Sequence, residues 1–199
     1  LLRGGGRRGL ARGDISGKGV SAALLMANLQ AMLRMQADLH GDRLEDVVSA
    51  INQRLCAATG ESRFATLFYG VFDSESRVLH YVNAGHNPPI VFRPSAGDGP
   101  LTQLDPTGSI LGIFEDLEYR CHAVQLEPGD LLLVYSDGAT EAMNEAEEFY
   151  GEERLKGLLP QLAGLPPQAV VEGILADVSR FSGERPQADD ITLIAARVL

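Results

Sequence analysis

Cysteine and long apolar runs are scarce in this 199-residue sequence, and each shortage excludes a class of protein. The two cysteines, Cys56 and Cys121, make neither a disulfide framework nor a CxxC motif, which excludes disulfide scaffolds and zinc ribbons. Their small number favours a reduced compartment, so we expect a cytoplasmic protein. No run of about 18 apolar residues occurs, so we expect no membrane insertion.

Basic residues are also in the minority, with 17 Lys and Arg against 27 Asp and Glu and a formal charge of −10. A protein that binds a nucleic-acid backbone needs the opposite sign, so nucleic acid is not an expected partner. Hydrophobic residues make up 45% of the chain, enough to bury a core that offsets the entropy of ordering. At this length the sequence predicts one domain over residues 1–199, with the Arg- and Gly-rich residues 1–9 as a flexible lead-in.

Hydrophobic periodicity predicts helices and strands in separate blocks. Helical spacing of apolar residues predicts four helices, at 21–39, after Asp42, at 152–163 and at 167–181. Strand-like segments are predicted at 10–14, 64–72, 78–83, 88–92, 119–126, 130–136 and 191–198. Tight turns at 73–76 and 127–129 join neighbouring strands into predicted hairpins. Helix pairs before and after these strands indicate an α+β domain with antiparallel sheets, not a doubly wound parallel sheet.

The first predicted helix has a broad apolar arc. An arc of this width predicts a helix that is packed on more than one side, and it also leaves room for a dimer contact. Its members are Leu24, Leu25, Met26, Leu29, Met32, Leu33, Met35 and Leu39.

Acidic residues recur at predicted strand ends. Asp14 ends a strand, Asp137 follows an apolar run and precedes Gly138, and Asp189 and Asp190 directly precede the last strand. Carboxylates in this position, next to glycine, can approach a ligand closely. If several of them converge without a compensating lysine, a hard cation such as Mg²⁺ or Mn²⁺ is needed between them. The alternative is that each aspartate caps a turn or a helix.

Other phosphate and hydrolase motifs are incomplete. A P-loop of the form GxxxxGK[ST] would need glycine where Arg12 stands and Ser or Thr where Gly19 stands. Neither a GxSxG elbow nor an HExxH motif is present.

Four segments occur in an order that resembles a known family: GDISGKGVSAALLMA (13–27), NAGHNPPIVF (83–92), LLLVYSDGATEAMN (131–144) and ADDITLIAARV (188–198). Together they resemble the catalytic domain of bacterial metal-dependent serine/threonine phosphatases, in the SpoIIE/RsbU-like branch of the PPM (type 2C) family. The resemblance covers residues 10–199. It implies an α-β-β-α sandwich, in which two mostly antiparallel sheets are flanked by layers of helices.

The resemblance also implies a centre of two divalent cations, Mn or Mg. Asp14 matches the carboxylate that bridges the two ions, and the carbonyl of Ile15 matches a backbone ligand. Asp137 and Asp189 match ligands of one ion, with Asp190 as the neighbouring candidate. Water bound to the ions would attack phosphorus in line, without a phosphoenzyme intermediate.

Three further side chains are candidates for contact with substrate or phosphate. Arg12 would share a strand face with Asp14 and could pair with it or hold a phosphate, or it could be a solvated edge-strand arginine. Lys18 could offset the aspartates or contact phosphate, or it could be solvated. His86 could act as a general acid toward the leaving oxygen, or it could satisfy a turn by hydrogen bonding.

The resemblance implies a phosphatase that acts on phosphoserine or phosphothreonine in a regulatory protein, typically a STAS-type anti-anti-sigma factor. A sensor or receiver module in the parent chain is implied as well. Members of the family carry a further acidic motif of GGD type upstream, whereas residues 1–13 contain no Asp or Glu. We therefore expect the N-terminal part of the family domain to be missing. The alternative is a catalytically weak, phosphatase-like binding or regulatory module.

Overall fold

The computed structural model describes residues 6–59, 63–94 and 101–199. The chain divides into two compact units, of which the first comprises Leu1–His86 and Asp105–Leu126 and the second comprises Asn87–Leu104 and Glu127–Leu199. The elements in chain order are β1 (Arg7–Ile15), α1 (Val20–His40), α2 (Leu44–Thr59), β2 (Ala65–Asp73), β3 (Val78–Ala84), β4 (Ile90–Phe92), β5 (Leu101–Gln103), β6 (His122–Gln125), β7 (Leu131–Tyr135), α3 (Asp137–Thr140), α4 (Glu152–Leu162), α5 (Pro167–Ser182) and β8 (Leu193–Arg197).

The first unit contains an antiparallel sheet with strand order β1-β2-β3-β6 and the helices α1 and α2. Odd-numbered residues of β1 and β2, such as Ile15, Leu67 and Tyr69, belong to one apolar cluster with the two helices. Because side chains alternate along a strand, the even-numbered residues lie on the opposite face of this sheet. Asp14 is therefore on the face away from α1 and α2.

Among the described residues, helix α1 is covered along one side. The broad cover predicted from its apolar arc is wrong, since Leu24 and Leu39 are 67% and 68% exposed and Met35 is 43% exposed. At 3.6 residues per turn, Leu24 and Met35 lie on the flank of the helix beside the core stripe, and Leu39 lies in the last turn, near the helix end. The stripe that packs on the core comprises Leu25, Leu29, Met32 and Leu33, with Met26 partly buried beside it.

The second unit contains an antiparallel sheet with strand order β5-β4-β7-β8. Its core joins Leu131, Leu133 and Tyr135 of β7 to buried residues of α4 and α5, including Leu159 and Ile174. The prediction of an α+β fold with two antiparallel sheets is thereby confirmed. The single-domain organisation stays a prediction.

The two predicted hairpins have different outcomes. Strands β2 and β3 pair across the turn at 74–77, as predicted. At the second turn the amide of Asp130 donates to the carbonyl of Glu127, so the tight turn is present, but β6 joins the first sheet and β7 the second. The prediction of a second hairpin is therefore wrong. Turn residues determine a local reversal of the chain, whereas the pairing of each strand depends on strands that are distant in sequence. The short elements β5 and α3 were not predicted.

Strand β1 begins at Arg7, three residues before the predicted strand at 10–14. Arg7 Nε donates to Asp73 Oδ2 at 3.1 Å, and its Nη1 donates to the carboxylate of Asp42. These ion pairs hold the start of β1 against β2, so the predicted flexible lead-in is wrong for residues 7–9. Residues 1–5 lie outside the described ranges. None of the helices in the described ranges has the length and apolar character that crossing a bilayer would require.

Asp73 makes the stability of the first unit sensitive to acid. Backbone N–H groups of Ser76 and Glu75 and the Arg7 guanidinium donate to its carboxylate, and they lower the pKa of Asp73 to about 2. An unperturbed aspartate has a pKa of about 3.9, so the folded state favours the ionised form. The stabilisation is present above about pH 4 and is lost as the pH falls through about 2.

We therefore expect Asp73→Ala to lower the free energy of unfolding at pH 7 and to lower it much less at pH 2. Urea unfolding at a series of pH values measures both differences. Asp116→Ala, at an exposed position, serves as the control. A loss for Asp73→Ala that is the same at pH 7 and pH 2 would show that the ionised carboxylate is not the cause.

Candidate active site

Asp14 lies at the end of β1, with its side chain 54% exposed. Arg12 Nη2 lies 4.0 Å from Asp14 Oδ1, which places the two side chains on one face as predicted. The Arg12 side chain is only 16% exposed, so the alternative of a solvated edge-strand arginine is wrong. Its buried Nε has no hydrogen-bond partner among the described residues, so this N–H donor is unused within them.

Thr66 lies directly across from Asp14 in the β1–β2 register, so the two side chains share a face. Thr66 Oγ1 is hydrogen-bonded to His86 Nδ1 at 2.9 Å. His86 is buried. Its backbone N–H donates to Asn83 Oδ1 at 2.8 Å, and Asn83 Nδ2 donates back to the backbone carbonyl of His86 at 3.1 Å. Asn83 thus closes the turn after β3 and directs the imidazole toward Thr66.

Thr66 and Asn83 were not among the predicted site residues. The spacing of Asn83 and His86, three residues apart, is typical of a side-chain-closed turn and could have signalled Asn83. The role of Thr66 depends on the β1–β2 register, which no local pattern contains.

Lys18 and Arg63 border the loop that follows β1. Lys18 is exposed, between Gly17 and Gly19, and its predicted role stays a prediction. A Cβ on Gly17 would lie 3.4 Å from Arg63 Nη1, a buried atom with no hydrogen-bond partner among the described residues. Arg63 is therefore a second guanidinium near the end of β1, and no sequence motif indicated it.

Asp137 follows β7 in the second unit and is the first residue of α3. Its Oδ1 accepts the N–H of Gly138 at 2.8 Å. The preceding Ser136 donates from Oγ to the Asp190 carbonyl at 3.1 Å and accepts the Thr192 N–H at 2.9 Å. The end of β7 is thereby bound to the segment that leads into β8.

Gly138 allows the backbone of residues 189–190 to approach closely. A Cβ at this position would lie 2.5 Å from the Asp190 carbonyl oxygen and 3.3 Å from that of Asp189. Asp189 Oδ1 accepts the Asp190 N–H at 2.9 Å, and Gln187 Nε2 donates to the Asp189 carbonyl at 2.7 Å. We call Asp137, Gly138, Asp189 and Asp190 the aspartate rim; in it three of the predicted ligands lie on two backbone segments in close contact.

The donor set of the rim fits a hydrated hard cation. Carboxylate and carbonyl oxygens suit Mg²⁺ and Mn²⁺, and Mg²⁺ is commonly held by one or two carboxylates while it keeps several waters. The described residues contain no group of three or more His, Cys, Asp or Glu side chains placed to hold one ion. Asp14 and Ile15 belong to the first unit, so the five-residue ligand set stays a prediction.

The close contact at Gly138 gives a test of the rim. In Gly138→Ala the new methyl group would overlap the Asp190 carbonyl, so we expect residues 188–190 to shift and the free energy of unfolding to fall by about 1–3 kcal/mol. Gly157→Ala is the matched control, because Gly157 lies inside α4 with no atom near its Cβ position and should gain up to about 1 kcal/mol. Denaturant unfolding measures both, and equal stability of the two variants would contradict the contact.

The sequence matches the family model described as Stage II sporulation protein E (SpoIIE) over residues 4–199. Phosphoserine phosphatase RsbU of Bacillus subtilis (strain 168) is 28% identical over 188 residues, which cover 94% of this chain and 55% of RsbU. The structure of the RsbU and RsbW domains of Rv1364c from Mycobacterium tuberculosis matches with a TM-score of 0.79 and 28% identity, over 97% of this chain and 53% of that chain.

The structure of RsbX in complex with magnesium matches with a TM-score of 0.66, over 98% of this chain and 87% of that chain. Its sequence identity is 18%, so this likeness supports the fold alone. The chain spans about half the length of RsbU and of the Rv1364c chain. The predicted fold class is confirmed by these likenesses. The chain belongs to the SpoIIE family, in the SpoIIE/RsbU-like branch of the PPM-type serine/threonine phosphatases.

Proposed function

We propose that this chain is a metal-dependent phosphatase that hydrolyses phosphoserine or phosphothreonine in a regulatory protein. The observation that carries the proposal is the aspartate rim, where the contact at Gly138 brings Asp189 beside Asp137. Family membership supports the same activity, and RsbU is a phosphoserine phosphatase by name.

Asp137 and Asp189 are the residues that would hold a cation in the second unit, with Asp190 beside them. Asp14 and the Ile15 carbonyl are the proposed ligands from the first unit. A bound Mg²⁺ or Mn²⁺ would supply Lewis acidity, which lowers the pKa of water and offsets the charge of the phosphoryl oxygens. The structure of RsbX with magnesium supports this choice of ion for the fold.

The other candidate side chains would bind the phosphate or position neighbouring groups. Arg12, next to Asp14, would donate hydrogen bonds to a phosphoryl oxygen, as arginine does in phosphate sites. His86 is 2% exposed and bonded to Thr66, which favours a positioning role across from Asp14 over that of a general acid. Lys18 would add positive charge near the phosphate from the exposed loop after β1.

The biological setting follows the family. We propose a phosphorylated regulatory protein of the STAS-type anti-anti-sigma class as substrate, in the cytoplasm, with a sensor or receiver module elsewhere in the parent chain. The Rv1364c chain supports a parent chain of more than one domain, because it joins RsbU and RsbW domains. Both cysteines are free, as a reduced compartment would have them.

A second candidate function is a binding or regulatory module with weak catalysis. One observation favours it: within the described ranges, no cluster of three potential metal-ligating side chains is present. A site with few carboxylates binds Mg²⁺ weakly, and weak metal binding would limit turnover.

Hydrolysis of a phosphoserine peptide in millimolar Mn²⁺ tests the proposal. We expect turnover that EDTA abolishes, and we expect Asp14→Asn, Asp137→Asn and Asp189→Asn each to lower kcat by about 100-fold or more, because each removes charge from the reacting centre. Asp116→Asn, an exposed acidic position, should keep the activity of the parent chain.

The opposite result would be equally informative. The proposal of a phosphatase would be overturned if folded protein showed no Mn²⁺-dependent turnover. This result would have to hold both for this chain and for a chain extended upstream through the parent gene. Binding of the phosphopeptide without hydrolysis would then favour the regulatory module.

A further inference from the structure

The second unit contains a cavity of about 500 Å³ beside the aspartate rim, and most of its lining has no role in the proposed reaction. Ligand pockets in proteins commonly have volumes of about 300–1,000 Å³, so this cavity has room for a side chain or a small molecule but not for a helix. Its lining residues all belong to the second unit and include Gly138 and Asp189 at one end. The cavity is therefore continuous with the aspartate rim.

One wall of the cavity is a face of α5. Leu175, Val178, Ser179 and Ser182 line it, and their spacing of three, four and seven residues places them on one side of the helix. Val178 is buried and forms the floor, whereas Leu175 is 40% exposed. The wall therefore offers apolar surface to a ligand without any change in the core.

The opposite wall is a structured loop. Met143 and Phe149 form an isolated antiparallel bridge, and Asn144 Oδ1 accepts the N–H groups of residues 146 and 148 at 3.0 Å each. Arg185 Nη1 donates to the Asn144 carbonyl at 3.1 Å, which ties this loop to the segment after α5. Phe149 lines the cavity and is 57% exposed, so a large aromatic surface is held open in a preformed wall.

The charges of the lining restrict what can bind. Among the described residues of the lining the charged ones are Glu141 and Asp189, both acidic, and none is Lys, Arg or His. An acidic side chain would be repelled, and it would lose hydration without gaining a cationic partner. An apolar side chain gains free energy by burial against Leu175, Val178 and Phe149.

We propose that this cavity binds a large apolar side chain of the substrate protein, one or two residues from its phosphorylated serine or threonine. The inference rests on the proposed function, because a phosphate at the aspartate rim places the neighbouring residues beside Gly138 and Asp189. An extended chain advances about 3.3 Å per residue, so a neighbour of the phosphorylated residue reaches the mouth of the cavity. The site gives the phosphatase a sequence preference.

Two phosphoserine peptides test the preference: one with leucine and one with aspartate at the two positions on either side of the phosphoserine. Para-nitrophenyl phosphate, which has no flanking side chains, is the reference substrate for each variant. We expect the leucine peptide to have a KM about tenfold or more below that of the aspartate peptide. Ser179→Phe, which fills the cavity from an exposed helix position, should remove this difference.

Ala176→Phe is the matched control, because it adds the same ring to an exposed position of α5 outside the cavity, and it should keep the preference. If Ser179→Phe keeps the preference for the leucine peptide and still hydrolyses para-nitrophenyl phosphate, the proposed role of the cavity is overturned. The proposed phosphatase activity is supported by the same result. If the parent chain hydrolyses neither substrate, the proposed function fails, and fluorescence anisotropy of the labelled peptides replaces kinetics. Equal affinity of the leucine and aspartate peptides would then overturn the proposed role of the cavity. Tighter binding of the leucine peptide would support this role if Ser179→Phe abolished the difference in affinity.

Discussion

The candidate site of the second unit depends on one close backbone approach, that of residues 189–190 to Gly138. No side chain fits between the two segments, so the end of β7 and the segment leading into β8 lie beside each other. The Ser136 hydroxyl binds the same two segments through the Asp190 carbonyl and the Thr192 amide. Because both contacts are short-range and directional, the positions of Asp137 and Asp189 follow from backbone packing more than from their own side chains.

The carboxylates of the aspartate rim are positioned by hydrogen bonds from the backbone. Asp137 and Asp189 each accept the backbone N–H of the following residue. These hydrogen bonds orient the two carboxylates relative to the backbone. Carboxylates oriented in this way would have little to rearrange on binding the proposed cation, which would lower the cost of forming the site.

Sequence patterns could predict much of this fold, but not the pairing of distant residues. Strand β2 was predicted within one residue, since its apolar segment ends at the turn-forming Asp73. The separation of β6 and β7 into different sheets was missed, because Pro128 and Gly129 determine only a local reversal. At the site, the strand-end aspartates were recognisable by type and context, whereas Thr66 and Arg63 depend on register and loop packing. Exposure of Leu24 and Leu39 was missed too, because apolar residues contribute much of any protein surface.

The arginines of β1 have a consequence for association between copies of the chain. Within the ranges that the structure describes, β1 is an outer strand of its sheet, and such a strand offers backbone N–H and C=O groups to any strand that meets it. Two copies that paired through β1 in a register that sets Arg8 opposite Arg8 or Arg12 would bring like charges together, and like charges across a strand pair repel. Arginine on this outer strand therefore acts against extension of the sheet by an identical strand in those registers.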